Sequence, residues 1–255
     1  MILLLSPAKT IDFSIVKQII EPTIPEFINE SCFLIQYGKK LSVEDIMQLM
    51  SISRNLAELN YQRFQKFQIN HNVNNSKPAV LAYMGDVYEG LKAWEFDKQE
   101  MEFAQQNLRI LSGLYGILKP MDLIQPYRLE MGINFKTNVS KNLYEYWRES
   151  ITKKIEEELN IQKTDTILNL ASAEYYKAVN FKKLNVKVVS PQFKNIKNDK
   201  YIMVSFWVKK ARGMMANYVI KNRISNISDI NSFENKYYYN NSLSTEIEPV
   251  FTSEF

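Results

Sequence analysis

The sequence predicts an α/β fold in which a mainly parallel or mixed central sheet is flanked by helices. Two observations support this prediction. Several short runs contain almost only apolar residues, which is typical of strands buried on both faces of a sheet. Between them lie longer segments in which apolar residues recur every three or four positions, as in amphipathic helices. Because the 255 residues contain no repeat and no low-complexity linker, a single domain of residues 1–255 is expected.

Each of the clearest predicted strands is followed by small or polar residues. These strands are Ile2–Leu5 followed by residues 6–10, residues 79–84 followed by 85–86, residues 108–111 followed by 112–113, and residues 166–170 followed by 171–175. Further strands are expected at residues 186–189 and 201–204. Ligands of such sheets bind beyond the carboxyl ends of the strands, so these polar residues are expected to meet in one cleft. The alternative is that they only form tight turns.

The helical periodicity predicts six helices. They span residues 25–37, 43–50, 54–67, 97–106, 143–159 and 209–223. Ser42 with Asp45, and Asp97 with Glu100, have the spacing of a capping box at a helix start. The chain after about residue 227 is rich in Asn, Ser and Tyr, and is expected to be irregular.

The chain has one cysteine, Cys32, and one histidine, His71, which excludes several classes of site. No disulfide can form within one chain, and zinc sites built from Cys and His are excluded. Cys32 lies on an apolar helix face and is expected to be an inert thiol, while His71 lies in a polar stretch and is expected in a loop. No metal or cofactor is expected. No run approaches transmembrane length, so a cytoplasmic protein without a membrane partner is predicted.

Glycine is scarce, with seven residues where average composition would give roughly 18. All except Gly38 fall in short motifs. A chain that uses glycine so rarely is expected to keep it where the backbone turns tightly or approaches a ligand closely.

Residues 181–223 contain eleven basic residues and one acid, so this basic segment carries +10 while the rest of the chain carries −6. This asymmetry favours a polyanionic partner, nucleic acid before membrane. The aromatic residues among the cations are expected in the core, with base stacking as the alternative. They are Phe193, Tyr201, Phe206 and Trp207. The motif at 209–213 (KKARG) is expected at a helix start, where backbone N–H groups and cations favour phosphate.

Residues 42–67 resemble a helix-hairpin-helix, a motif whose hairpin offers backbone N–H groups to a DNA phosphate. The hairpin would contain Ser51, Ser53 and the adjacent Arg54. The motif normally has glycines where this chain has the two serines. A packing corner between two helices, capped by either serine, is an equal interpretation.

The polar residues at the strand ends suit acid–base chemistry or recognition of a nucleotide. The candidate catalytic residues are Lys9, Asp86 and Glu130. A buried structural pair between Arg128 and Asp86 is the alternative. The other polar side chains expected in the cleft are Ser6, Thr10, Tyr88, Ser112, Tyr127, Asn169, Ser172 and Tyr175.

Six motifs in order along the chain resemble the YaaA family. They are residues 6–10 (SPAKT), 85–91 (GDVYEGL), 111–116 (LSGLYG), 126–132 (PYRLEMG), 169–172 (NLAS) and 209–213 (KKARG). The resemblance implies an α/β fold of unusual topology with a positively charged cleft. It also implies a DNA-binding protein with a helix-hairpin-helix-like element that protects cells against hydrogen peroxide, in a family associated with lowering free iron. It implies no established reaction. Met84 stands where the family commonly has Lys, which removes one possible cation.

Two functions follow from these observations. The first is binding of duplex DNA, including distorted or damaged duplexes, by a protein expected to be a monomer. The residues expected to bind DNA are Lys9, Ser51, Ser53, Arg54, Arg128, Lys209, Lys210 and Arg212. The alternative is an enzyme that acts on a nucleotide or on damaged nucleic acid. In the enzyme, Asp86 or Glu130 would serve as acid or base, and Lys9 as nucleophile or phosphate clamp.

Overall fold

The computed structural model describes residues 1–14, 20–198 and 200–254. The strands are β1 (Ile2–Leu5), β2 (Thr10–Ile11), β3 (Lys77–Pro78), β4 (Tyr83–Met84), β5 (Leu108–Ser112), β6 (Gly116–Leu118), β7 (Leu123–Ile124), β8 (Thr166–Asn169), β9 (Lys187–Val189), β10 (Gln192–Lys197), β11 (Lys200–Ile202), β12 (Tyr238–Tyr239) and β13 (Val250–Glu254). The α-helices are α1 (Ile28–Gly38), α2 (Val43–Met50), α3 (Arg54–Lys66), α4 (Ala79–Ala82), α5 (Asp86–Leu91), α6 (Lys98–Asn107), α7 (Leu143–Gln162), α8 (Ala173–Tyr176) and α9 (Ser205–Lys221).

The central sheet confirms the predicted mixed α/β architecture. Among the described residues, its five strands lie in the order β6-β5-β1-β8-β9. The pairs β1–β5, β1–β8 and β8–β9 are parallel, and β5–β6 is antiparallel. All four residues of β1 are buried, as expected of a strand covered on both faces. The carboxyl ends of β1, β5 and β8 therefore meet at one edge of the sheet.

A second sheet was not predicted, and it corrects the expectation of an irregular tail. Among the described residues, its four strands lie in the order β11-β10-β13-β12, with β13 parallel to β10. Phe251 of β13 is buried and stacks on Phe193 of β10, with ring centroids 5.7 Å apart. Because Asn, Ser and Tyr dominate the tail, its few buried apolar residues gave too weak a pattern to predict a strand.

The predicted strand at residues 79–84 is wrong. Residues Ala79–Ala82 form the short helix α4, and only Tyr83–Met84 form a strand. All four residues of α4 are buried, and an apolar run of that length does not distinguish a buried strand from a buried helical turn. The residues after β4 are helical as well, since α5 begins at Asp86.

The longer helices lie close to the predicted bounds, and both predicted capping boxes are formed. Ser42 caps α2 with Asp45, and Asp97 caps α6 with Glu100. The start of α9 is corrected, because the helix begins at Ser205 and not at Lys209. In the part of the chain that the structure describes, no helix combines the length and apolar character that crossing a membrane requires.

Candidate functional site

A cleft of about 570 Å³ lies beyond the carboxyl ends of β1 and β8. Five segments that are far apart in the sequence form its wall. They are residues 6–10, residues 84–87, residues 127–130, residues 170–175 and residues 203–212. In the last two segments, only some of the residues contact the cleft. Open α/β sheets bind their ligands in the crevice beyond the carboxyl ends of the strands.

Eleven of the residues expected in the site line this cleft. They are Ser6, Lys9, Thr10, Asp86, Tyr127, Arg128, Glu130, Ser172, Tyr175, Lys209 and Arg212. The charged lining comprises four cations and, with the additional residue Glu174, three carboxylates. The lining is thus of mixed charge, with one more cation than carboxylates.

Glu130 links two cations across the cleft wall. Its Oε1 lies 3.0 Å from Nη2 of Arg128 and 3.3 Å from Nζ of Lys9. Glu130 and Arg128 are only 13% and 17% exposed, whereas Lys9 is 66% exposed. Arg128 therefore pairs with Glu130, and no described contact supports the alternative pair with Asp86.

One donor and one acceptor of this group have no partner among the described residues. Nε of Arg128 and Oε2 of Glu130 are both buried and form no hydrogen bond there. Buried polar groups in folded proteins are almost always paired. Both residues line the cleft, so a rotation of either side chain would bring these buried atoms to a polar ligand that enters it.

Helix α9 presents Lys209 and Arg212 to the cleft. Burial lowers the pKa of Arg212, and neither residue forms an ion pair or side-chain hydrogen bond with any other described residue. Lys210 is not part of the lining, and its Nζ lies 3.7 Å from Oε2 of Glu89. Because α9 begins at Ser205, the backbone N–H groups at 209–212 lie inside the helix and not at its start. Only the side chains there are free to bind an anion.

A hydroxyl network fixes the segment that carries Arg128 and Glu130. The hydroxyl of Tyr127 lies 2.6 Å from those of both Tyr83 and Ser112. Burial raises the pKa of Tyr127 to about 12, so its hydroxyl stays protonated at neutral pH. Ser112 was expected in the cleft, but it lies behind the wall and orients Tyr127.

Tyr88 is buried behind the wall, and Asn169 is also not part of the lining. The hydroxyl of Tyr88 donates a hydrogen bond to the carbonyl oxygen of Ser6 at 3.1 Å. Asn169 accepts a bond from the N–H of Ala171 and donates one to Oγ of Ser190. These residues shape the backbone at the ends of β1 and β8, where Oγ of Ser6 accepts a bond from the N–H of Ser172 at 2.8 Å.

The corner between α2 and α3 lies outside the cleft lining. Ser51 has a φ of 51°, in the left-handed region that favours glycine. Arg54 is bound by Oε1 of Glu44 at 2.9 Å and by Oε1 of Glu58 at 3.3 Å. The resemblance of this corner to a helix-hairpin-helix stays a prediction.

Sequence reasoning missed Glu174 and Met203, which both line the cleft. Oε1 of Glu174 accepts a hydrogen bond from the N–H of Gly132 at 2.9 Å, which ties two walls of the cleft together. Glu174 stands in the polar stretch after β8, and this position was the signal for it. Met203 follows β11 and carried no signal beyond its place in the basic segment. The described residues include no group of three or more His, Cys, Asp or Glu arranged to hold a metal ion.

The fold and the cleft define a mixed α/β protein with a polar site at the carboxyl ends of parallel strands. The chain belongs to the peroxide stress protein YaaA family, whose model matches residues 1–243. The resemblance seen in the motifs is thereby confirmed. UPF0246 proteins from Aliivibrio fischeri strains MJ11 and ES114 are each 45% identical to this chain over 239 residues, which is 94% of the chain and 92% of each relative.

Proposed function

We propose that this peroxide stress family member binds DNA through the basic segment and protects it from iron-dependent oxidative damage. The observation that carries the proposal is a group of lysines on the β10–β11 hairpin, next to the cleft, that form no ion pair with a carboxylate among the described residues. Residue 203, which follows the hairpin directly, lines the cleft. DNA lying along the hairpin would therefore pass the opening of the cleft.

Nine of the eleven cations of the basic segment fall into two groups. Lys183, Lys187, Lys210 and Lys221 form ion pairs with glutamates. The cations near the hairpin and the cleft form no ion pair with any described residue. They are Lys194, Lys197, Lys200, Lys209 and Arg212. Cations without internal partners are available to neutralise phosphates.

Apolar side chains stand among these lysines at the surface. Tyr201, Met203 and Phe206 are 47%, 65% and 44% exposed. The expectation that the aromatic residues here belong to the core is correct for Phe193 and wrong for Tyr201 and Phe206. Exposed aromatic rings beside cations are the combination that stacks on unpaired bases in proteins that bind single strands. This arrangement favours DNA in which some bases are unstacked.

The proposed link to iron follows from the physics of the DNA backbone. A protein that neutralises phosphates with lysine releases the cations condensed on them. Iron ions held by the phosphates would be displaced in the same way. Hydroxyl radicals produced from peroxide by iron would then form further from the DNA.

The corner between α2 and α3 is proposed as a secondary DNA contact. The backbone around Ser51 and Ser53 would bind a phosphate, as the resemblance to a helix-hairpin-helix implies. Glu44 and Glu58 already neutralise Arg54. We therefore assign the larger share of the affinity to the hairpin and the cleft opening.

Fluorescence anisotropy with intact, bulged and abasic duplexes across a salt series tests the proposal. Binding should weaken steeply with salt, and replacing Lys197 and Lys200 with alanine should flatten the log–log slope by about two units. The matched control replaces Lys98 and Lys153, two exposed lysines that pair with glutamates on their own helices. Salt-independent binding, or an equal effect of both double variants, would contradict the proposal.

The enzymatic alternative is favoured by one observation, the carboxylates among the cations of the cleft. Asp86 begins α5 and lines the cleft, so Asp86→Asn should abolish turnover of a nucleotide or damaged strand while the protein stays folded. Borohydride should trap an adduct between abasic DNA and the wild type, and none with Lys9→Ala. If Asp86→Asn unfolds the protein, a structural role for Asp86 is supported instead.

A further inference from the structure

We propose that the cleft takes one unpaired nucleotide, with Arg128 and Glu130 binding the edge of its base and Arg212 with Lys209 binding its phosphate. The inference rests on the proposed function, in which DNA supplies that nucleotide. It adds the class of ligand and states which part of the ligand each pair of residues binds.

The size of the cleft sets the first limit on the ligand. Its volume of about 570 Å³ falls within the range of about 300–1,000 Å³ found for small-molecule pockets. A DNA duplex is too wide to enter such a space. A single nucleotide rotated out of the duplex fits, which is how proteins reach individual bases.

The pattern of unpaired polar atoms sets the second limit. Nε of Arg128 supplies a donor and Oε2 of Glu130 an acceptor once the side chains turn towards the ligand, since both atoms are buried and have no partner among the described residues. Lys9 and Nη2 of Arg128 both bind Oε1 of Glu130, which leaves Oε2 free for a ligand. Nucleobases present donors next to acceptors, such as the amino group and ring nitrogen of adenine, and this pattern complements the two protein atoms.

The cations on α9 set the third limit. Arg212 lies partly buried in the wall, and no described residue supplies it with a carboxylate or a hydrogen bond. A desolvated guanidinium without a partner is costly, and its planar fork binds phosphate or carboxylate through two parallel hydrogen bonds. Lys209 lies on the same stretch of lining and adds a second positive charge. The ligand is therefore anionic at one end.

The lining also contains apolar side chains. Leu129, Val208 and Met203 contribute to it, so the two faces of a flat ring can be shielded from water. Polar groups for a base edge, cations for a phosphate and apolar side chains for the ring together match a nucleotide better than a sugar phosphate or an inorganic anion.

Isothermal titration calorimetry tests the inference with four probes: dAMP, dCMP, deoxyribose 5-phosphate and inorganic phosphate. We expect the nucleotides to bind about tenfold more tightly than deoxyribose 5-phosphate, the gain that one good pair of contacts to a base edge supplies. Arg128→Lys removes the free Nε and Glu130→Gln removes the carboxylate, and each should abolish this preference while deoxyribose 5-phosphate still binds.

Two substitutions on α9 test whether this helix binds the phosphate of the ligand. Arg212→Ala should weaken all four probes, whereas the neighbouring Lys210→Ala should change none, because Lys210 pairs with Glu89 outside the cleft. Thermal melts check that each variant is folded. Equal affinity for nucleotides and deoxyribose 5-phosphate would overturn the base contact, and failure of every probe to bind would overturn the whole inference.

Anisotropy with duplex DNA separates this inference from the proposed function. DNA binding that depends on Lys197 and Lys200, without nucleotide binding, would overturn the inference and leave the proposed function standing. Nucleotide binding without DNA binding would overturn the proposed function. In a duplex with 2-aminopurine at a bulge, we expect fluorescence to change on binding the wild type and not on binding Arg128→Lys. Identical changes with both proteins would overturn the role of Arg128.

Discussion

Gly90 of α5 and Gly213 of α9 bring these two helices into backbone contact. A Cβ at Gly213 would lie 1.8 Å from the carbonyl oxygen of Val87, and a Cβ at Gly90 would lie 2.2 Å from that of Lys210. The contact sets the distance between Asp86 at the start of α5 and Arg212 on α9, two residues that line the cleft. Both glycines are therefore required by helix packing and not by approach to a ligand.

Gly213→Ala should destabilise the protein by about 2–4 kcal/mol, because the added methyl group overlaps backbone atoms that cannot move aside without separating the helices. Urea denaturation measures the loss. The control is Gly132→Ala, where the nearest atom is Oε1 of the flexible Glu174 at 3.2 Å, and the loss there should be below about 1 kcal/mol. Equal losses would contradict the packing argument.

Glu158→Ala should destabilise the protein by about 3–5 kcal/mol, since it leaves a buried guanidinium unpaired. Oε2 of Glu158 on α7 lies 2.6 Å from Nε of Arg109 on β5, and both side chains are less than a tenth exposed. Chemical denaturation measures the effect. The double variant Arg109→Met/Glu158→Leu removes both charges and should lose much less than Glu158→Ala. A double variant that is less stable than Glu158→Ala would show that the pair itself contributes net stability.

Acidification should destabilise the protein through His71. Burial lowers the pKa of His71 below its usual 6.5, and its Nε2 lies 3.0 Å from the hydroxyl of Tyr115, with which it shares a hydrogen bond. The folded state therefore takes up the proton less readily than the unfolded state. The contribution of His71 to stability is complete above pH 6.5 and is lost as the pH falls from there towards the lower pKa of the folded state.

Urea midpoints at pH 7.5 and pH 5 test this expectation against His71→Gln. The comparison with His71→Gln is needed because burial raises the pKa of Asp122 to about 6. A raised carboxyl pKa changes stability with pH in the opposite direction to His71. The contribution of Asp122 is present at acid pH and is lost as the pH rises through 6. The wild type should lose more stability on acidification than His71→Gln. An equal loss in both proteins would show that His71 does not titrate between pH 7.5 and pH 5.

Ser51→Gly should raise the free energy of unfolding by up to about 1 kcal/mol, because a left-handed backbone is costly for residues with a Cβ. The φ of Ser51 is 51° at the end of α2. Thermal denaturation measures the gain. Lys163→Gly is the matched comparison, since Lys163 has the same φ at the end of α7. If both substitutions destabilise the protein, entropy gained by the unfolded chain outweighs the relief of strain.

The central strands β1, β5 and β8 were predictable because each is short, apolar and bounded by polar residues. The capping boxes of α2 and α6 were predictable because they depend on residues three positions apart. The helical turn at Ala79–Ala82 was not, since its buried apolar run has no periodicity that separates helix from strand. Strand β13 was not predicted, because the few residues that it buries lie in a segment composed mostly of polar residues.

The sequence also indicated which segments carry the site, since the polar residues follow the strand ends. It did not indicate which side chains face the cleft. Lys209 lines it and Lys210 does not, although the two are adjacent, because neighbouring residues of a helix point about 100° apart. Ser112 on β5 and Tyr88 on α5 were grouped with the site because they follow or end predicted strands, and in the structure they orient Tyr127 and Ser6 from behind.

By itself, the sequence determined the family, the α/β class, the central strands and the concentration of positive charge in residues 181–223. These features depend on local composition and on motifs of a few residues. The tertiary structure decided the second sheet, the backbone contact between α5 and α9, and the orphan donor and acceptor at Arg128 and Glu130. Each of these depends on which atoms from distant segments come into contact. Those contacts, and the burial that follows from them, exist only once the whole chain has packed.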